Sequence, residues 1–429
     1  MEGDDQQPTG PFEGPEKLLE IWFAPSPAHV AGAFATSEGR FGLRKVPRQV
    51  WADMLDIVKC KILSVVEGTE MAAYLLSESS LLVSSHKLIL KTCGTTLNLL
   101  GLPRILEIAR EHAALPSVYR CFYSRKAFMF PERQVGPHRD WKAEIDYLDQ
   151  IFPNGSAYTV GKVNGDHWLL YMTTPGEASR GTTRSNTPIE PAIPPPDEED
   201  AEPPPSVAEE SDEPLQDYTI EILMTHLSPS ACAPFMTSET APEGETFDPS
   251  AHAMALSAQL GISDLFPPQL TTLDAYSFDP CGYSCNALLR WCEDEDEPAR
   301  TVEGYYTIHV TPEDGSSYAS FECNVPLPMT PSEQAGCIPD LKTLVRRVME
   351  IFQPGRLTLT LFVSSADNET AEEEDGESAV EAAQRAFKSA LTLPPPGPGA
   401  CAGLYKRTDK INYEFGGYDL AFATFERRP

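Results

Sequence analysis

The sequence predicts an α+β fold in which antiparallel sheets are covered by helices. Three observations carry this. Short runs rich in β-branched and aromatic residues recur through the 429-residue chain, and pairs such as Asn164-Gly165 and Asp314-Gly315 sit at tight turns beside them. Other stretches carry apolar residues at helical spacing. Finally, WKAEIDYLDQIFPNGSAYTVGKV (141–163) and LKTLVRRVMEIFQPGRLTLTLFV (341–363) both read helix, Ile-Phe, turn, strand, as a duplicated unit would.

Taken in chain order, helix periodicity over 48–58 is followed by strand-like runs at 60–66, 72–77, 80–84 and 87–93. A helix is expected over 94–112 and another over 139–152, followed by strands at 156–163, 167–173 and 217–224. Further strands are expected at 303–311, 316–324, 357–364 and 418–425, with a helix at 339–352. Two segments read as disordered inserts of one domain spanning 1–429. Residues 175–216 hold nine prolines between 188 and 214, interleaved with acids. Residues 366–400 run from an acidic stretch to PPPGPG, with a short helix near Ala379–Leu391. A smaller irregular region covers 237–250.

The net charge of −31 is concentrated in such segments. Residues 190–213 hold ten acids and no base; 293–297 and 367–381 hold thirteen more. Without a basic face, nucleic acid is excluded as a partner. The N-terminal MEGDDQQ lacks a signal peptide's basic and apolar regions, and no apolar run is long enough to cross a bilayer. Ten cysteines without CxxC spacing argue against a zinc site or a disulfide framework, so no metal and a cytoplasmic location are expected.

Four motifs carry chemistry. They are Tyr74-Leu-Leu-Ser-Glu-Ser-Ser80, Lys91-Thr-Cys-Gly-Thr-Thr96, Asp279-Pro-Cys-Gly-Tyr-Ser284 and Tyr306-Thr-Ile-His-Val-Thr-Pro-Glu313. Each alone has a bland reading: a serine-rich turn, a helix cap, a Pro/Gly turn, a strand with a satisfied histidine.

Together, and with Phe12-Glu-Gly-Pro-Glu-Lys-Leu-Leu-Glu20, Phe122-Tyr-Ser-Arg-Lys126 and Glu221-Ile-Leu-Met224, they make the chain resemble the eukaryotic S-adenosylmethionine decarboxylases from Phe12 to about Phe425. Pro15 and Asp279 depart from the family's Thr and Asn. The resemblance implies a four-layer sandwich, two antiparallel sheets flanked by helices, built by internal duplication. It implies a proenzyme that cuts itself between Glu78 and Ser79 into a small chain (1–78) and a large chain (79–429). Ser79 would attack the Glu78 carbonyl to form an ester. His309 would act as the base that removes the Ser79 Cα proton, with Ser284 supporting the intermediate, and elimination would leave a pyruvoyl group at residue 79. That group would take the place of pyridoxal phosphate and form a Schiff base with the substrate, whose decarboxylated product donates aminopropyl groups for spermidine and spermine. Cys93 matches the proton donor, and Glu13 and Glu16 match acids near the reacting centre. Phe12 and Phe278 match the pair that stacks on adenine, Glu78 lies at the substrate, and Glu313 matches the carboxylate on the ribose.

A second cluster follows from strand alternation, since Asp217, Thr219 and Glu221 share one face of a strand. With Glu20 and Glu322 they match the family's site for the activator putrescine, with Lys91, Phe122, Ser124, Phe362 and Tyr418 as lining residues. The resemblance also admits a homodimer. Two other classes conflict with the sequence. A non-catalytic paralogue would lack Ser79, Cys93 or His309, and all are present. A serine hydrolase would carry a GxSxG elbow, and none occurs.

Overall fold

The computed structural model describes residues 11–30, 39–174, 217–237, 247–292, 301–331, 336–394 and 405–428. The proline-rich stretch 175–216 and most of 237–250 therefore lie outside the described residues.

The first sheet comprises β1 (Lys17–Trp22), β2 (Ile62–Glu67), β3 (Met71–Leu76), β4 (Ser79–Ser84), β5 (Lys87–Thr92), β6 (Arg120–Lys126), β7 (Gly155–Gly161) and β8 (His167–Thr173). The second comprises β9 (Tyr218–Leu227), β10 (Thr271–Ser277), β11 (Tyr283–Cys292), β12 (Thr301–Thr311), β13 (Tyr318–Cys323), β14 (Pro354–Ser364), β15 (Tyr405–Phe415) and β16 (Tyr418–Arg427). Their orders are β2-β3-β4-β5-β1-β6-β8-β7 and β10-β11-β12-β13-β9-β14-β16-β15. Adding eight to every strand of the first order gives the second. One topology occurs twice, antiparallel throughout.

The helices are α1 (Arg48–Ile57), α2 (Asn98–Ala113), α3 (Trp141–Asp149), α4 (Pro229–Cys232), α5 (Pro249–Leu260), α6 (Leu341–Phe352), α7 (Ser365–Asp375) and α8 (Ala379–Thr392). They set a correction to the sequence repeat. In the topology α6–β14 corresponds to α2–β6, and α3–β7 corresponds to α8–β15. The stretches 141–163 and 341–363 therefore match one helix-and-strand unit out of step, although the duplication itself is present. Any amphipathic helix leading through a turn into a buried strand produces such a pattern, so its register is weakly specified.

Strand alternation builds the layers. In β1, Leu19 and Ile21 point to a core with Trp51, Met54 and Leu55 of α1 and Leu102, Ile105 and Ile108 of α2. Across the molecule, Ile220, Ile222, Leu359 and Leu361 meet Leu344, Val345 and Val348 of α6 and Ala383 and Phe387 of α8. The opposite faces pack sheet on sheet, with Trp22, Phe122, Trp168, Met172, Tyr418 and Phe422 in one apolar cluster and Leu18, Met71, Leu82, Leu288 and Tyr305 in another. The site lies between these two clusters.

Two expectations change. The stretch 366–400 was expected to be a disordered insert, yet as far as residue 394 it is mostly helical. The acids of α7 are largely exposed, while α8 buries Val380, Ala383, Phe387, Ala390 and Leu391 at helical spacing, which outweighs the acidic composition. Helix α2 begins at Asn98 rather than 94, because Gly94 takes a left-handed φ of 63° and Leu97 is not helical.

Candidate active site at a strained hairpin turn

Strands β3 and β4 form a hairpin in which Leu76 pairs with Ser79, leaving Ser77 and Glu78 as the turn. Ser79 has φ = 134°, a region that L-residues rarely occupy, costing on the order of 1–3 kcal/mol. Its hydroxyl is fully buried and lies 3.0 Å from His309 Nε2. His309 stands beside Ser284 on the neighbouring strand, and its Nδ1 is 2.9 Å from Ser284 Oγ. Burial, with the Lys91 charge in support, pushes the His309 pKa well below its usual value, so the ring is neutral. The hydroxyl of Ser80 donates to Asn286 Oδ1 at 2.6 Å. Ser79 is then the hydroxyl that donates to Nε2, and Nδ1–H donates to Ser284.

The carbonyl oxygen of Glu78, on the peptide bond before Ser79, accepts from the Cys93 amide at 3.0 Å and from its thiol at 3.3 Å. Burial, then Glu16 and Glu78, raise the Cys93 pKa, with Lys17 opposing, so the sulfur stays a thiol. Beneath this turn the buried Lys17 donates to the Gly94 carbonyl at 3.0 Å, and burial lowers its pKa to about 8.

At the outer side, Gly94 makes room for Phe12: a Cβ there would lie 2.9 Å from the ring. The Phe12 amide donates to Glu313. Phe278 packs against Tyr276, their ring centroids 5.1 Å apart, and its amide donates to Gly282 O at 3.0 Å. Glu13 is buried beside the Cys93 turn, its backbone carbonyl accepting from the Gly94 amide at 2.9 Å. Its carboxylate accepts from the amides of Met129 and Phe130, both at 2.7 Å, so it fixes that loop. Glu16 instead faces the seam, accepting from Tyr318 at 2.7 Å and from Ser320.

The acidic group converges between the sheets. Glu221 and Glu322 are direct cross-strand partners. Lys91 donates to Glu322 at 2.8 Å and lies 3.8 Å from Glu16; Tyr305 donates to the other Glu322 oxygen at 2.7 Å. Burial alone would lower the Lys91 pKa, but Glu322, Glu16 and Glu221 together hold it above its ordinary range. Burial raises Glu221 to about 7, with Glu322 adding to the shift. Glu20 also rises to about 7 through burial, despite Lys87 at 3.7 Å and a 2.7 Å hydrogen bond from Trp22. Asp217 accepts from Tyr418, whose ring stacks on Phe362 at 4.5 Å; Phe122 meets both edge-on. Thr219 lies between Asp217 and Glu221 on the same strand face, opposite Phe362, and Ser124 is buried on β6.

Sequence reasoning missed Ser80, Asn286 and Lys17. Asn286 follows Ser284 by two residues on a strand and so shares its face; alternation along β11 would have found it.

The adenosylmethionine decarboxylase family matches the chain over residues 9–426. Relatives that carry the name S-adenosylmethionine decarboxylase proenzyme include those of two animals and a fungus. That of Xenopus laevis is 37% identical over 355 residues, covering 83% of this chain and 84% of its own. That of Saccharomyces cerevisiae is 31% identical over 442 residues, covering 98% and 94%, and that of Drosophila melanogaster 34% over 414 residues, covering 96% and 95%. With a match running almost from end to end, the chain belongs to the adenosylmethionine decarboxylase family.

Proposed function

We propose that this chain is a self-cleaving precursor that breaks the Glu78–Ser79 bond, converts Ser79 into a pyruvoyl group and then decarboxylates S-adenosylmethionine. One observation carries the reading. The Ser79 hydroxyl meets a neutral histidine at 3.0 Å while the carbonyl oxygen of Glu78 is held by two donors of Cys93.

His309 Nε2 takes the Ser79 proton as Oγ attacks the Glu78 carbonyl carbon. Negative charge develops on the Glu78 oxygen, where the Cys93 amide and thiol already point. The Ser79 nitrogen leaves with the proton from His309, and an ester replaces the amide; relief of the strained φ at Ser79 favours this uphill exchange. His309, neutral again, then removes the Ser79 Cα proton, the Cβ–Oγ bond breaks and Glu78 is expelled as a carboxylate. Water adds at residue 79 and ammonia departs.

The surroundings fit the resulting group. Residue 79 is fully buried, and the Nδ2 donor of Asn286, beside Ser80, is buried with no hydrogen-bond partner among the described residues, as a new carbonyl acceptor nearby would require. When formed, the pyruvoyl group supplies a conjugated carbonyl that accepts the electron pair left by departing CO₂. Cys93, kept protonated by burial, returns a proton to the substrate carbon. Phe12 and Phe278 are assigned to the adenine and Glu313 to the ribose hydroxyls. Glu313 already engages the Phe12 amide, which ties the two binding elements together.

The acidic seam is assigned to putrescine. Two carboxyls raised to about 7 are groups that a dication would ionise, and Lys91 leads from them to the β5 end that carries Cys93. Mass spectrometry of the denatured protein tests the cleavage, and CO₂ release from carboxyl-labelled S-adenosylmethionine tests the reaction.

A further inference from the structure

Glu303, on the strand that carries His309, makes a contact that neither self-cleavage nor substrate binding has used. Its buried carboxylate accepts three consecutive backbone amides of the β2–β3 turn: Thr69 at 2.7 Å, Glu70 at 3.1 Å and Met71 at 2.9 Å. The turn is shaped to receive it. A Cβ on Gly68 would lie 2.3 Å from Glu303 Oε1, so only glycine leaves room. From the other side Arg44 takes the carbonyls of Gly68, at 2.7 Å, and Thr69. The turn therefore has its amides claimed by one sheet and its carbonyls by a side chain of its own segment.

The position of this contact matters more than its strength. Beyond the turn, β3 runs from Met71 to the scissile pair Glu78–Ser79, and in the facing sheet β12 runs from Glu303 to His309. At about 3.3 Å per residue each path spans roughly 20 Å. The two strands are thus pinned at both ends, by Glu303 at one and by the 3.0 Å Ser79–His309 contact at the other.

We propose that Glu303 is a positioning residue for self-cleavage, a clamp that sets the register of the β3 strand against β12 and so holds the scissile turn over its base. The clamp also joins the two products, because the turn falls in 1–78 and Glu303 in 79–429. This rests on the cleavage site proposed above.

The test uses full-length precursor purified uncleaved and followed by intact mass. Glu303→Ala should slow appearance of the 1–78 fragment by roughly 10–100-fold, the cost of displacing a reacting pair by about an ångström. Glu303→Gln keeps one acceptor oxygen and should recover part of the rate. Because the clamp moves no proton, the pH midpoint of cleavage should stay in place while its amplitude falls. In processed protein, the small chain should dissociate at lower urea from Glu303→Gln than from wild type. Wild-type cleavage rates in both variants, at a temperature where circular dichroism shows them folded, would overturn the proposal. So would a shifted pH midpoint. Absence of the 1–78 fragment from wild type itself would instead remove the cleavage assignment.

Discussion

The Cys93 amide donates to the carbonyl oxygen of Glu78 at 3.0 Å, and the thiol of the same residue reaches that oxygen at 3.3 Å. In the proposed mechanism one residue supplies the backbone donor for chain cleavage and the side-chain proton for turnover. The two roles separate on substitution. Cys93→Ala keeps the amide, so cleavage should persist while decarboxylation falls by roughly 10²–10⁴-fold, the usual worth of a positioned acid. Misdirected protonation should also inactivate the variant, leaving alanine at the start of the large chain. Intact mass after turnover reads both outcomes.

His309→Ala should abolish cleavage or leave the chain as the ester, which hydroxylamine would split at residue 78. Ser284→Ala removes only the acceptor that fixes the His309 tautomer, so cleavage should continue, about tenfold slower. Equal rates in wild type and both variants would detach this pair from the chemistry.

Putrescine binding should release protons. An ordinary glutamate titrates near 4.5, and burial raises Glu20 and Glu221 to about 7. Between those values the folded chain keeps protons that the unfolded chain has lost, so this pair's contribution to stability declines as pH rises. A dication favours the ionised form, so the rise in Tm caused by putrescine should grow between about pH 5 and about pH 8. Taking the difference with and without ligand cancels groups such as His138, which burial lowers to about 4. Glu221→Gln should flatten this dependence and weaken stimulation of decarboxylation. A stimulation curve unchanged from wild type would leave these acids with a structural role alone.

Helix α8 should be a stability element. Phe387 is fully buried against the second sheet, so Phe387→Ala should cost about 3–5 kcal/mol in urea unfolding. A loss under about 1 kcal/mol would contradict its place in the core.

The residues of the candidate site were legible because they fall in short contiguous motifs: LSESS, LKTCG, DPCGYS and TIHVTPE each occupy a strand end or turn. Five strands were not, namely β1, β6, β10, β11 and β15. In β1 and β6 charged residues are buried or half-buried where apolar alternation is expected: Lys17 under Gly94, Glu20 half-buried in the acidic seam, Arg125 on the buried Glu144, and Lys126 on Asp166 and the buried Thr358. Strand β10 is half-buried and polar at a sheet edge, and β11 carries Ser284 and Asn286 toward the site. Strand β15 is also an edge, and residues 406–414 are mostly polar and at least partly exposed. The Glu303 contact was hidden for another reason. It joins residues more than 230 positions apart, and nothing local marks a glutamate as the acceptor for a distant turn.

Intact mass of the purified, denatured protein tests the central claim most directly. Wild type should give two species, residues 1–78 and residues 79–429, the latter beginning with a pyruvoyl group in place of Ser79. Ser79→Ala should give one uncut chain with no decarboxylase activity. A wild-type chain that stays whole while decarboxylating S-adenosylmethionine, or an active Ser79→Ala chain, would contradict the account.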